Sequence, residues 1–168
     1  MLYPLSYEGV LVGRSYLPQA DRYLKAPTVP QAGRTGTGNI GCVGKLTVLV
    51  IDDDPVILEL LRVNFEIEGF DVICAKDGEE GLQKAHDERP DVVISDVMMP
   101  KRDGLQVLSD LKGDPDTENL PVILLSAKAQ RSEVQHGLDM GADDYITKPF
   151  DPLELIDRLN AVMTKSPR

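Results

Sequence analysis

Only two cysteines, Cys42 and Cys74, occur in 168 residues, and no CxxC pair is present. A disulfide framework and a thiolate metal site are both excluded. Histidine is as scarce: His86 and His136 stand in polar surroundings and read as exposed helix positions, not as ligands. No apolar run approaches the roughly 18 residues that a membrane span needs. The N-terminus, MLYPLSYEGVLVGRSYLPQA, has no basic start followed by an unbroken apolar stretch, so it does not read as a secretory signal. These absences predict a soluble, cytoplasmic protein with no membrane partner. Positive charge is also in short supply, with 18 Lys and Arg against 28 Asp and Glu, a net charge of -10. Such a chain is repelled by a phosphate backbone, and the expectation is no direct DNA binding.

What is present is enough for one domain. Hydrophobic residues make up 42% of the chain, sufficient for a core. The charge is uneven: residues 1–44 balance to +2 and the rest to -12. The first 44 residues are rich in proline and glycine and show no sustained period of 2 or 3.6, so they read as a poorly ordered N-terminal extension. A single folded domain is expected over residues 45–165, with a short tail at 166–168. The extension contains GTGNIG (Gly36, Gly38, Gly41), which fits GxGxxG. That motif has meaning only after a strand and before a helix, where a helix N-terminus can face a pyrophosphate. Here it precedes a strand. Gly44-Lys45 likewise fails as a P-loop, because Asn39 and Leu46 occupy positions that need Gly and Ser or Thr.

From Leu46 the chain alternates between short β-branched runs and amphipathic segments. LTVLVI (46–51), FDVICA (70–75), DVVIS (91–95), PVILLS (121–126) and DYIT (144–147) predict five strands. Helices are predicted after each, from Asp54-Pro55 to about Glu68, over 78–88, from Gly104 to Lys112, near 131–139, and from Asp151-Pro152 to about Met163. Asp54 and Asp151 each pair an N-cap with a following proline. In the first helix Ile57, Leu60, Leu61 and Phe65 are expected on one inward face. Five strands alternating with five helices imply an α/β fold, a parallel sheet covered on both faces. In such sheets a site lies at the carboxyl ends of the strands.

The residues at those ends carry chemistry. Strand one is followed by Asp52, Asp53 and Asp54, strand three by Asp96, strand four ends at Ser126, and strand five leads to Lys148. Asp52, Asp53 and Asp96 would gather three carboxylates, a cluster that needs a cation. Hard oxygen donors favour Mg²⁺. Lys148 adds an ammonium and Ser126 a hydroxyl, which together suit a dianionic phosphoryl group. Singly, each residue is more often a turn or cap residue; jointly, on successive strand ends, they point to a site.

VLVIDDDP, VVISDVMMPKRDG, PVILLSAKA and GADDYITKPF together resemble the four signature regions of response-regulator receiver domains, from about Leu46 to Met163. The resemblance implies a doubly wound, flavodoxin-like sheet of order 2-1-3-4-5. It implies that Asp96 is the phosphoacceptor, and that Asp53, Asp96 and the backbone carbonyl of Met98 ligate Mg²⁺, with Asp52 acting partly through water. Ser126 would bond a phosphoryl oxygen, Lys148 would pair with it, and Lys148-Pro149 would be cis. Met98 and Lys128 would border the path of attacking water, and the side chains of Met98 and Met99 otherwise read as core or gap-filling. Phosphorylation would draw Ser126 inward, with Tyr145 filling the space and altering the face made by helix four, strand five and helix five. Such domains are signalling switches rather than enzymes, taking phosphoryl from a sensor histidine kinase or phosphotransfer protein.

Two other readings compete. A haloacid-dehalogenase-type phosphohydrolase would use Asp52 and Asp54 in DxDx(T/V), but it expects an acidic pair after the lysine, whereas Asp143-Asp144 precede Lys148. A receiver-like binding module that is never phosphorylated is opposed by every required position being filled. With few residues after the last helix, the expectation is a stand-alone, chemotaxis-like protein that docks on an unknown downstream target. Receivers of transcription factors dimerise through basic residues on helix four, and Val134 and Gln135 stand there instead, so only a weak dimer is expected. Deleting residues 1–44 is expected to leave the melting temperature within a few degrees of the parent, by thermal denaturation, because the segment has no amphipathic period with which to pack.

Overall fold

The computed structural model describes residues 45–165. The expectations for residues 1–44, including GTGNIG and Cys42, and for 166–168 lie outside the described residues. The chain runs β1 (Thr47–Ile51), α1 (Pro55–Ile67), β2 (Asp71–Ala75), α2 (Gly78–Glu88), β3 (Val92–Asp96), α3 (Gly104–Gly113), β4 (Val122–Ser126), α4 (Arg131–Asp139), β5 (Asp144–Thr147) and α5 (Pro152–Lys165). All four strand pairings are parallel, in the order β2-β1-β3-β4-β5.

Strand side chains point alternately to the two faces of the sheet, and the core divides accordingly. Val48, Val50, Val92, Ile94, Ile123, Leu125 and Ile146 pack against Leu61 and Phe65 of α1 and Leu155, Ile156, Leu159 and Val162 of α5. Leu49, Ile51, Val93, Val122, Leu124 and Tyr145 pack against Ala85 of α2 and Val107, Leu108 and Leu111 of α3. The near-continuous apolar strands in the sequence reflect this double covering. Phe65 meets Phe70 edge to face at a centroid distance of 5.6 Å, fixing the end of α1 to the start of β2.

The helix starts follow the sequence. Asp54 caps α1 by accepting the Val56 N–H at 2.8 Å, with Pro55 at N1. Asp77 and Asp103 cap α2 and α3, and Asp103 forms a capping box with Gln106. Asp151 accepts the Leu153 N–H at 2.9 Å. Two expectations about side chains do not hold. Leu60 is 41% exposed, because it lies about 100° round α1 from Leu61, outside the arc that Leu61 and Phe65 bury. Met98 is 55% exposed and only Met99 is core, because Met98 sits on the solvent side of the loop after β3. His86 and His136 are both exposed on helices, as read.

One glycine fixes how closely α3 approaches the sheet. A Cβ on Gly104 would stand 2.2 Å from the Asp96 carbonyl oxygen, and the Gly104 N–H donates to the Val97 carbonyl at 3.1 Å. The start of α3 thus abuts the backbone of the residue that ends β3. A backbone atom cannot yield as a flexible side chain can, so Gly104→Ala is expected to destabilise by about 1–3 kcal/mol. At Gly113 a Cβ meets nothing within 4 Å. Gly113→Ala should instead stabilise by about 0.4–1 kcal/mol, and urea denaturation of the two variants checks both signs.

Candidate functional site

β1, β3, β4 and β5 run side by side in that order, all parallel, so their carboxyl ends open on one edge. Asp52 follows β1 and is 1% exposed; Asp96 ends β3 and is 4% exposed. Lys148, reached just past β5, places its Nζ 2.8 Å from Asp52 Oδ2 and 2.9 Å from Asp96 Oδ1. One ammonium therefore bridges carboxylates from two strands. The remaining oxygens are also held: Asp52 Oδ1 accepts the Asp54 N–H at 2.9 Å, and Asp96 Oδ2 accepts the Met98 N–H at 2.9 Å. Lys148-Pro149 is a cis peptide.

Asp53 is exposed, yet one of its carboxylate oxygens lies within 4.8 Å of oxygens from both Asp52 and Asp96. Three carboxylates against one ammonium leave two negative charges uncompensated, and the donors are all hard oxygens. That set fits a small divalent cation. Burial raises the Asp52 carboxyl above its ordinary value, with the hydrogen bonds from Lys148 and the Asp54 amide opposing it incompletely. For Lys148 burial acts downward, but the hydrogen bonds to Asp52 and Asp96 outweigh it, and its affinity for the proton rises. The bridge is an ammonium between buried oxygens.

Ser126 ends β4 fully buried, and its Oγ accepts the Lys128 N–H at 3.1 Å. In the β3–β4 register Asp96 stands opposite Leu125, so Ser126 is one residue further toward the open edge. Tyr145 in β5 is 6% exposed; its hydroxyl donates to the Lys128 carbonyl at 3.2 Å and its ring lies against Gly137 of α4. Beside it is a cavity of about 500 Å³ lined by Val97, Leu105, Lys128, Ser132, Glu133 and His136.

Asp52, Asp53, Asp96 and Lys148 thus come together as the strand-end argument expected, with Ser126 on the adjoining strand. Asp54 does not join them. Its carboxylate faces the amides of α1, which removes it from the DxD geometry a hydrolase would need. Two residues that matter to the site escaped sequence reading. Gly104 carried a signal, the capping aspartate immediately before it, but not the reason for its closeness to Asp96. Glu133, whose Oε1 is 2.8 Å from Lys128 Nζ, carried none, since the pair spans a loop and fits no helical spacing.

A family model described as the response regulator receiver domain matches residues 48–160, and the chain belongs to that family. The alkaline phosphatase synthesis transcriptional regulatory protein PhoP of Bacillus subtilis is 44% identical over 119 residues, covering 71% of this chain and 49% of that protein. The DNA-binding dual master transcriptional regulator RpaA of Synechocystis is 42% identical over 121 residues, covering 72% of this chain and 50% of that protein. Among solved structures, the receiver domain of the Francisella response regulator 1452 is 40% identical with a TM-score of 0.68, covering 72% of this chain and 98% of that one.

This chain spans about half the length of the curated relatives it matches. Those names overturn the expectation of no direct DNA binding drawn from net charge, since RpaA is by its name a DNA-binding regulator and PhoP a transcriptional one. The physical reason is that the charge balance was dominated by the receiver segment. The sign of one domain's surface says nothing of what an adjoining one contacts.

The raised Asp52 carboxyl gives a stability test. A group whose folded-state proton affinity exceeds its unfolded value favours the fold most at low pH, and that contribution is lost as pH rises through the folded pKa. At neutral pH the parent therefore bears the cost of the buried charge, and Asp52→Asn does not. Without added metal, Asp52→Asn should melt a few degrees higher at pH 7, and the gain should shrink as pH falls toward the ordinary carboxyl range. Thermal denaturation across that range checks it.

Proposed function

We propose that residues 45–165 form a receiver that accepts a phosphoryl group on Asp96 from the phosphohistidine of a sensor histidine kinase or phosphotransfer protein, in the cytoplasm. The observation that carries this is the Lys148 ammonium standing between Asp96 Oδ1 and Asp52 Oδ2 at 2.9 and 2.8 Å. Asp53, Asp96 and the Met98 carbonyl would hold Mg²⁺, with Asp52 acting partly through water. The ion supplies charge neutralisation on the transferring group.

The residues do the rest. An Asp96 carboxylate oxygen bonds to phosphorus as the phosphorus–nitrogen bond of the phosphohistidine breaks, and the freed imidazole takes a proton from solvent. Lys148 pairs with the arriving phosphoryl oxygens and is thereby drawn off Asp52. Ser126 turns its hydroxyl from the Lys128 amide toward a phosphoryl oxygen. Tyr145, already inward and bonded to Lys128, keeps the loop after β4 in register with α4, so phosphorylation alters the face of α4, β5 and α5 that meets a downstream protein. The domain's own chemistry is confined to taking and losing this group.

Incubation with acetyl phosphate and Mg²⁺ should label Asp96 alone, read by mass spectrometry, and Asp96→Asn should take no label. A label on Asp52 would sink the reading in favour of a hydrolase. Mg²⁺ should raise the melting temperature of the parent by binding the folded state only, and Asp53→Ala should lose that rise together with labelling.

A further inference from the structure

The phosphoryl chemistry uses the carboxyl edge of the sheet. At the opposite edge, where β3 and β4 begin, lies a cavity of about 410 Å³ that this chemistry leaves without a role. Its walls come from the end of α2, the turn into β3 and the segment between α3 and β4. A volume of this order suits a small molecule. Buried Ala85, Pro90 and Leu120 give it an apolar floor, and Arg89, Asp116 and Asn119 stand exposed around it. Two other polar groups in the lining are already engaged. The Thr117 hydroxyl donates to the Leu111 carbonyl at 2.8 Å, and His86 Nε2 lies 3.7 Å from Asp114 Oδ2. The side chains of Arg89, Asp116 and Asn119 have no hydrogen bond or ion pair among the described residues.

The backbone supplies a second, independent observation. Arg89 ends α2 at φ 48° and ψ 62°, in the left-handed region. Glycine is the residue this position favours, because a Cβ there crowds the following carbonyl oxygen. Among the described residues only Lys101 also has a positive φ without being glycine. A site suited to glycine thus carries a guanidinium at the mouth of a cavity, and residues held in this way gather where ligands are clamped.

We propose that this cavity binds a small zwitterion with an apolar body, the chemistry of a free aliphatic amino acid. The Arg89 guanidinium presents a planar fork of donors that matches a carboxylate, and the Asn119 amide adds another donor. Asp116 offers only acceptors and takes the ammonium. The aliphatic body covers Ala85, Pro90 and Leu120. Opposite charges around one mouth also select against simpler ligands, since Asp116 repels a lone carboxylate and Arg89 repels a lone ammonium. The site is separate from the chemistry at Asp96.

Titration of the full-length protein with L-leucine, followed through the backbone amide resonances of Ala85 and Leu120, should give saturable shifts. Isocaproate lacks the ammonium and isoamylamine lacks the carboxylate, and each should bind about tenfold more weakly or worse. Arg89→Gly should lose L-leucine affinity by a similar factor while melting no lower than the parent, because the left-handed backbone suits glycine. Arg89→Asn, also at ease in that conformation, should lose it equally. Asp116→Asn should weaken L-leucine without weakening isocaproate. The absence of saturable shifts with L-leucine overturns the proposal, as does affinity that survives Arg89→Gly unchanged. Isocaproate bound as tightly as L-leucine overturns the assignment of a zwitterion.

Discussion

A single ammonium lies between two buried carboxylates contributed by strands 44 residues apart in sequence, Asp52 and Asp96, and the order of the strand ends depends on it. Burial works against charge on both Asp52 and Lys148, and the hydrogen bond between them works the other way. The bridge draws the ends of β1, β3 and β5 to one point even though β4 separates β3 from β5. It also leaves the cluster incomplete in charge, with Asp53 exposed at its rim. Three carboxylates around one ammonium leave the site negative enough to want a cation. A closed, neutral triad would have been sturdier and inert.

Much of this was legible in the sequence because parallel sheets report themselves strongly. Fully covered strands read as apolar runs, crossover helices read as amphipathic segments, and the alternation leaves little freedom in topology. The strand ends then follow, and with them Asp52, Asp53, Asp96, Ser126 and Lys148. Less legible were features set by rotation and closeness. Leu60 and Leu61 are adjacent and equally apolar, yet only Leu61 is buried, because one helical step decides which face it joins. Gly104 looks like any helix-start glycine until the Asp96 carbonyl is placed against it. Glu133 meets Lys128 across a loop whose path no local pattern dictates. In each case the deciding quantity is a three-dimensional distance of a few ångströms.

The correction about nucleic acid has a similar source. Net charge is a property of a whole surface, whereas binding is a property of a patch. An acidic receiver segment belongs to proteins that are named as DNA-binding regulators, and its acidity suits the cation-assisted phosphoryl chemistry argued for the strand ends. Charge bookkeeping on one segment constrains that segment's contacts and goes no further.

The partition of the core into two layers has a mechanical consequence. Val97 and Met99, which follow Asp96, and Tyr145 all belong to the layer under α2 and α3; none belongs to the layer under α1 and α5. A group added to Asp96 would meet the layer under α2 and α3 first. The other side is knitted by Phe65, Leu155 and Leu159, and the loop that carries Lys148 meets it through Phe150. The two layers are thus joined to the site unequally, the one through Val97, Met99 and Tyr145 and the other through Phe150, even though the architecture is nearly symmetric.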